Sequence, residues 1–338
     1  MKKFLCGVTV MLGFMLIPSV TMAITIPFGQ TGQAKAAPKA PDTPTAPAAP
    51  TAPTAPTSPG SVAASPASTN NSDTANWYWL SSDDKYSKYY DTKSVKVTKQ
   101  ANTARGAVPT EITAWTKTTY SYGGAKETID NYEIKNLVPD PASLSYSLAE
   151  VQINPQNRTI QYLKENFYNP SGNVIWSKTS GRVKEINSQE FDEDFYDAIV
   201  DFVFRLGETD RSKAKDRWID LWEIKAPDGS LTRLTADTTT MRRKGENLIM
   251  WQWQETKNAQ GKIQEVKFMK KNVNLPQGTE KIISGKYWSP QKGWQILDDA
   301  TDGTSRLIVE NSPEFKGLAR LRAYADGYSM WVNRYSID

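Results

Sequence analysis

The side chains that carry most enzymatic chemistry are absent from this sequence. Of 338 residues none is histidine, and the one cysteine is Cys6. Without histidine there is no Ser-His-Asp or Cys-His nucleophile and none of the usual zinc sites. A Ser-Lys nucleophile would need Ser-x-x-Lys at the start of a helix, and a phosphate cradle would need a glycine-rich loop between strand and helix. Neither stands in such a place. Three clusters remain. Glu190, Asp192, Glu193, Asp194 and Asp197 could bind calcium or supply an acid and a base. Their spacing lacks the glycine and closing Glu of a calcium loop. They also open a predicted helix, where negative charge suits the positive end of the dipole, so a solvated helix face is expected. Arg242, Arg243 and Lys244, with Lys267, Lys270 and Lys271 beyond them, would gather if strands 248–255 and 263–270 pair as a hairpin. Such a patch could dock an anionic glycan, anionic lipid or acidic protein, or merely keep a hairpin tip and edge strand from aggregating. Its ligand-binding candidates are Arg242, Arg243, Lys244, Lys270 and Lys271. Trp77 with Trp79, and Trp251 with Trp253, each share a strand face. They could stack on a sugar or peptide, but large aromatics more often line a sheet's core, which is the expectation here.

The elements that hold these residues read as strands followed by a helix, twice. Runs rich in Trp, Tyr, Val, Ile and Thr are punctuated by Gly123-Gly124, Asn169–Gly172, Pro227–Gly229, Lys244–Asn247 and Asn258–Gly261, all hairpin signals. From Ser188 to Leu206 the apolar residues Phe191, Phe195, Ile199, Phe202, Val203 and Leu206 keep a helical spacing. Ser188 is the expected cap and Gly207 the stop. A second helix begins at Ser312, with Pro313 suited to its first position.

Five matches recur in the same order: Trp77 with Trp218, Asp91-Thr-x-Ser-Val with Asp237-Thr-x-Thr-Met, and Trp115 with Trp251 and Trp253. Then come Phe167-Tyr-Asn-Pro with Tyr287-Trp-Ser-Pro, and Asn187-Ser-Gln-Glu-Phe with Asn311-Ser-Pro-Glu-Phe. The separations drift between 120 and 146 residues, as unequal loops would make them. The expected fold is α+β: two tandem units, 77–207 and 216–338, each an antiparallel sheet with a packed C-terminal helix.

The N-terminal quarter reads differently. Lys2 and Lys3, the apolar run Phe4–Val20 and the small residues up to Ala23 form a secretory signal peptide over 1–23. A retained membrane helix would need about 20 apolar residues with suitable flanks. Cys6 precedes the apolar run rather than ending it, so no lipid anchor is expected. Cleavage takes Lys2 and Lys3 from the 41 basic residues and leaves all 37 acids, a net charge of +2. It also leaves a mature chain with no cysteine for a disulfide. Near-neutral charge gives no footprint for nucleic acid. Over 24–76 proline stands at every third position from Pro38 to Pro59, the period of polyproline II. That run could reach roughly 65 Å, which suggests a disordered tether.

The opening Trp77, the set Asp91, Thr92, Ser94 and Val95, then Trp115, Tyr168, Gly172, Ser188 and Glu190 form a pattern that resembles the surface-adhesin protein E family of diderm bacteria. It covers most of 77–206 and, more faintly, 218–326. The family's cysteine pair is missing from both copies. The resemblance implies sheet-plus-helix domains on the outer surface that bind host matrix or serum proteins. The functional expectation is an exported envelope or surface binding module: adhesin-like, non-catalytic, without a cofactor, and with a protein or glycan ligand. The rival readings are an envelope polysaccharide hydrolase with paired carboxylates, and a purely structural envelope protein.

Overall fold

The structure, a computed structural model, describes residues 75–179, 181–206, 216–297 and 303–338. The signal peptide, almost all of the tether and Gly207 lie outside the described residues. The first sheet holds β1 (Trp77–Ser82), β2 (Tyr86–Asp91), β3 (Lys96–Thr103), β4 (Gly106–Tyr120), β5 (Tyr146–Asn154), β6 (Thr159–Tyr168), β7 (Val174–Thr179) and β8 (Lys184–Glu185). Helix α1 (Tyr122–Asn131) lies between β4 and β5, and α2 (Glu193–Phe204) follows β8. The second sheet holds β9 (Trp218–Lys225), β10 (Leu231–Asp237), β11 (Arg242–Lys244), β12 (Asn247–Lys257), β13 (Ile263–Asn274), β14 (Thr279–Ser289), β15 (Gly293–Ile296) and β16 (Arg306–Leu307). Helices α3 (Pro313–Gly327) and α4 (Ser329–Val332) close the chain.

The two sheets have one topology. The first runs β1-β2-β4-β5-β6-β7, with β3 on β4 and β8 on β6; the second runs β9-β10-β12-β13-β14-β15, with β11 on β12 and β16 on β14. All pairings are antiparallel. Even the irregularities coincide. Leu80 bulges between Trp79 and Ser81, as Leu221 does between Asp220 and Trp222. Leu163 and Ile283 bulge at matching places in β6 and β14. A bulge reverses which residues face the core, so the shared bulges keep the two copies in phase. The fold is α+β with two tandem units.

The Asp-Thr-x-Ser/Thr signal acquires a physical meaning. The Ser94 hydroxyl donates to Asp91 O (2.7 Å) and accepts from Trp115 N (2.8 Å). Thr240 does the same with Asp237 O (2.9 Å) and Trp251 N (2.9 Å). The aspartate carboxylate accepts from the backbone N–H two residues on, Lys93 or Thr239, at 3.0 Å. One hydroxyl thus ties the turn after the second strand of each copy to the long central strand. Thr240→Val is therefore expected to cost about 1–3 kcal/mol, the penalty for a buried N–H left without an acceptor. Thr240→Ser should recover most of it, with urea unfolding as the readout.

Three elements depart from the sequence expectation. Gly123-Gly124 sits in α1 rather than a hairpin: Ser121 caps the helix, accepting from Gly124 N at 3.3 Å. A Cβ on Gly124 would run into the Lys85 carbonyl, so glycine lets α1 approach the β2 end. Helix α2 begins at Glu193, not near Ser188, and its cap residue Asp192 makes no capping bond. Asp192 is drawn inward instead, accepting from Tyr162 Oη (2.6 Å) and Lys184 Nζ (3.0 Å). The helix ends on Arg205 in the left-handed region (φ 55°). By contrast α3 starts as expected, with Ser312 accepting from Phe315 N at 3.1 Å and Pro313 at the first turn. Among the described residues no helix is long and apolar enough to cross a membrane.

Each copy buries its own core. Under α2 lie Ile112, Val151, Ile153 and Ile160, with Phe195 and Ile199 from the helix. Under α3 lie Leu234, Leu248, Met250, Met269 and Val273, with Leu318 and Leu321. A third cluster, Ile129, Val138 and Phe167, forms under α1, which has no counterpart among the described residues of the second copy.

Candidate functional site

The copies meet through charge. Arg158, only 2% exposed, donates to Glu193 (2.9 Å), Asp197 (3.1 Å), Ile186 O (3.0 Å) and, in the second copy, Thr239 O (3.4 Å). Arg217 bridges Glu193 (2.7 Å) and Asp237 (3.2 Å). The C-terminal Tyr335 crosses back into the first copy's core, 4.9 Å from the Phe204 ring. The acidic cluster is thus not a solvated face. Asp192, Glu193 and Asp197 hold structural cations and a tyrosine, while Asp194 accepts from Ser81 (2.7 Å) and Lys88 (3.0 Å). Among the described residues no group of three or more His, Cys, Asp or Glu is placed to hold a metal.

The basic candidates separate by strand parity. Lys271 points to the core side, is buried, and pairs with Glu280 at 2.9 Å. Arg242 is buried near Glu185 and donates to Thr240 O at 3.4 Å. Lys270 pairs with Glu185 of the first copy at 2.8 Å. Arg243 is half-buried and Lys244 exposed at the hairpin tip. Strands β12 and β13 do pair as the expected hairpin, but the five residues do not form one exposed patch.

The tryptophan pairs give the correction with most consequence. They line the face of each sheet away from the helices rather than the helix-covered cores, and Trp251 is itself buried there, against the first copy. In the second copy Trp251 and Trp253 on β12 lie across from Lys270 and Phe268 on β13, and Phe268 lies across from Lys286 on β14. Trp251 stacks on Phe268 at 4.4 Å, Trp253 lies 6.1 Å from Trp294, and Lys286 Nζ sits 4.9 Å over the Trp294 ring. Exposure rises across the row, from none at Phe268 to 43% at Trp294. The first copy supplies the wall. Glu185 accepts from Trp251 Nε1 at 3.2 Å, and Glu190 stands near Lys286. Burial lowers the Lys286 ammonium pKa, opposed by Glu190; burial, and then Asp192, raises that of Glu190. Aromatic faces open to solvent beside a lysine and a carboxylate can stack a flat apolar surface and hydrogen-bond its polar edge. Sequence alternation showed that Trp251 and Trp253 share a face. Phe268, Lys286 and Trp294 join them only through pairing register.

One further acid escaped the sequence reading. Glu165 faces the core between α1 and α2, accepting from Tyr132 Oη at 2.8 Å. Burial raises its pKa above the ordinary 4.5; Tyr132 and Ser147 oppose this by hydrogen bonds, Asp192 adds to it and Lys178 opposes it. In the second copy the equivalent position is Gly285. A carboxyl with a raised folded-state pKa binds its proton more tightly when folded, so stability falls as pH climbs from about 4.5 through the folded value. Glu165→Gln should remove that decline. The stability gap between variant and wild type is expected to grow with pH and then level off, as read by urea unfolding across pH.

No family model, curated protein or solved structure matches the chain.

Proposed function

We propose that this chain is an exported, non-catalytic binding module of the cell envelope or surface, which holds a glycan on the outer face of its second sheet. The observation that carries the reading is the platform of Trp253, Lys286 and Trp294, in a row whose other end, at Trp251 and Lys270, is walled by Glu185 of the other copy. Sugar rings present apolar faces to stack and hydroxyl edges to hydrogen-bond, and the row offers both. Platform and wall come from different copies, which gives the duplication a use. The leader and proline tether support an address outside the cytoplasm. The adhesin-like reading rests on the motif residues from Trp77 to Glu190.

The hydrolase alternative needs two carboxylates converging on one open cleft. Asp192 is buried and engaged by Tyr162 and Lys184, while Asp194 is engaged by Ser81 and Lys88; this arrangement favours binding. The test is solid-phase binding of the mature chain to peptidoglycan fragments, sulfated glycans and matrix proteins, wild type beside Trp294→Ala. Retention of a glycan by wild type and its loss in the variant supports the reading. A matrix protein retained equally by both removes the platform from it.

A further inference from the structure

The copies are joined by a contact that the molecule uses once and could use again. Internally, Glu185 at the β8 corner of the first copy sits on the outer face of the second sheet, touching Trp251 and Lys270. Strand pairing fixes the equivalent positions. The Glu185 place is taken by Leu307, since Glu185 pairs with Thr159 as Leu307 pairs with Thr279. The Trp251 place is taken by Trp115, since the backbone N–H of each donates to the equivalent Ser/Thr hydroxyl, Ser94 or Thr240. Each end of the molecule therefore carries one unused half of the contact. At one end Leu307 and Val309 are 70% and 67% exposed. At the other lies the outer face of the first sheet, with Trp115 half-buried, Trp79 56% exposed, and the Tyr146–Tyr168 stack at 4.7 Å.

We propose that the chain associates head to tail with further copies of itself, the Leu307–Val309 corner of one molecule packing on the Trp115 face of the next. Such an association continues the internal contact from one molecule to the next. The same fold presents the same corner and the same face, with a leucine in the place of the glutamate. A contact between two different surfaces does not close on itself, so it propagates into a ring or filament rather than a two-fold dimer. The ionic half of the internal contact is not repeated: Gly278 and Gly317 stand where the first copy has Arg158 and Glu193. The intermolecular contact is consequently less ionic than the internal one, weaker, and less sensitive to salt.

Glu150 on β5 lies directly across from Trp115 on the same face. The test is sedimentation velocity on the mature chain over a wide concentration range, with Leu307→Asp, Trp115→Gln and Glu150→Arg compared for thermal unfolding. Wild type should show a rising sedimentation coefficient, and each variant should weaken association at least tenfold. Mixing Leu307→Asp with Trp115→Gln should yield dimers and stop there, because one partner keeps a sound face and the other a sound corner. If Trp115→Gln fails to fold, Glu150→Arg takes its place in the mixture. A wild type that stays monomeric throughout overturns the proposal. So does association that survives both Leu307→Asp and the face variants, or a mixture that does not pair.

Discussion

Arg158→Ala is expected to lower the free energy of unfolding by about 3–5 kcal/mol, the usual consequence of removing one partner from a buried ion cluster. The guanidinium is all but inaccessible and its N–H groups reach Glu193, Asp197, Ile186 O and Thr239 O. Removing it leaves two acids facing each other; Arg217, which also holds Glu193, is itself over a third exposed and compensates only partly. The backbone adds a second, separable term. Arg158 has φ 53° in the left-handed region, where the second copy has Gly278 at φ 65°. A side chain there costs about 1–2 kcal/mol, so Arg158→Gly should be less damaging than Arg158→Ala by about that amount. Urea unfolding of the three proteins gives both numbers. A loss below about 1 kcal/mol for Arg158→Ala, the range of an exposed pair, would mean that the cluster does not fasten the copies.

Trp294→Ala is expected to reduce glycan binding by about thirtyfold, since truncating an aromatic anchor typically costs about 2 kcal/mol. Trp294 is the informative choice because nearly half its surface is open, so the truncation leaves the core intact. Trp253→Ala should weaken binding as well, with some loss of stability from its ring contacts to Phe268 and Trp294. Stacking is little screened, so binding should persist at high salt. The paired change Arg243→Ser with Lys244→Ser, at the hairpin tip, should leave affinity within about twofold, as rim charges act mainly on association rate. Calorimetric titration of the mature chain with whichever glycan it retains separates these cases.

Much of the fold was legible because local signals and tertiary context agree. The Asp-Thr-x-Ser/Thr turns, the glycine hairpins and the Ser312-Pro313 start each do locally what the whole requires, so five short matches sufficed to expose the duplication. The misses fall where tertiary demand overrides local preference. Gly123-Gly124 reads as a turn, and becomes helical because only a glycine fits against the Lys85 carbonyl. Ser188 reads as a cap, and loses that role because Tyr162 and Lys184 draw Asp192 under the sheet. Alternation groups Trp251 with Trp253 but carries no sign telling core from outer face, and large aromatics fit either. Arg242 and Arg243 look alike in sequence; parity buries one and half-exposes the other. Glu165 was hidden by the bulge at Leu163, which shifts it onto the core face. The platform combines residues from four strands and a wall from the other copy, and no single stretch of sequence spells that out.

The central claim is reversible binding on the aromatic row without turnover, and one incubation tests it. The mature chain is mixed with fluorescently labelled peptidoglycan fragments and sulfated glycan chains, and bound fraction and chain length are read from the same samples. The account predicts saturable retention of one glycan class at unchanged chain length, lost in Trp294→Ala and kept in the hairpin-tip double variant. Shortening of the glycan that disappears on changing Asp192 or Asp194, or no retention of any glycan by the wild type, would contradict it.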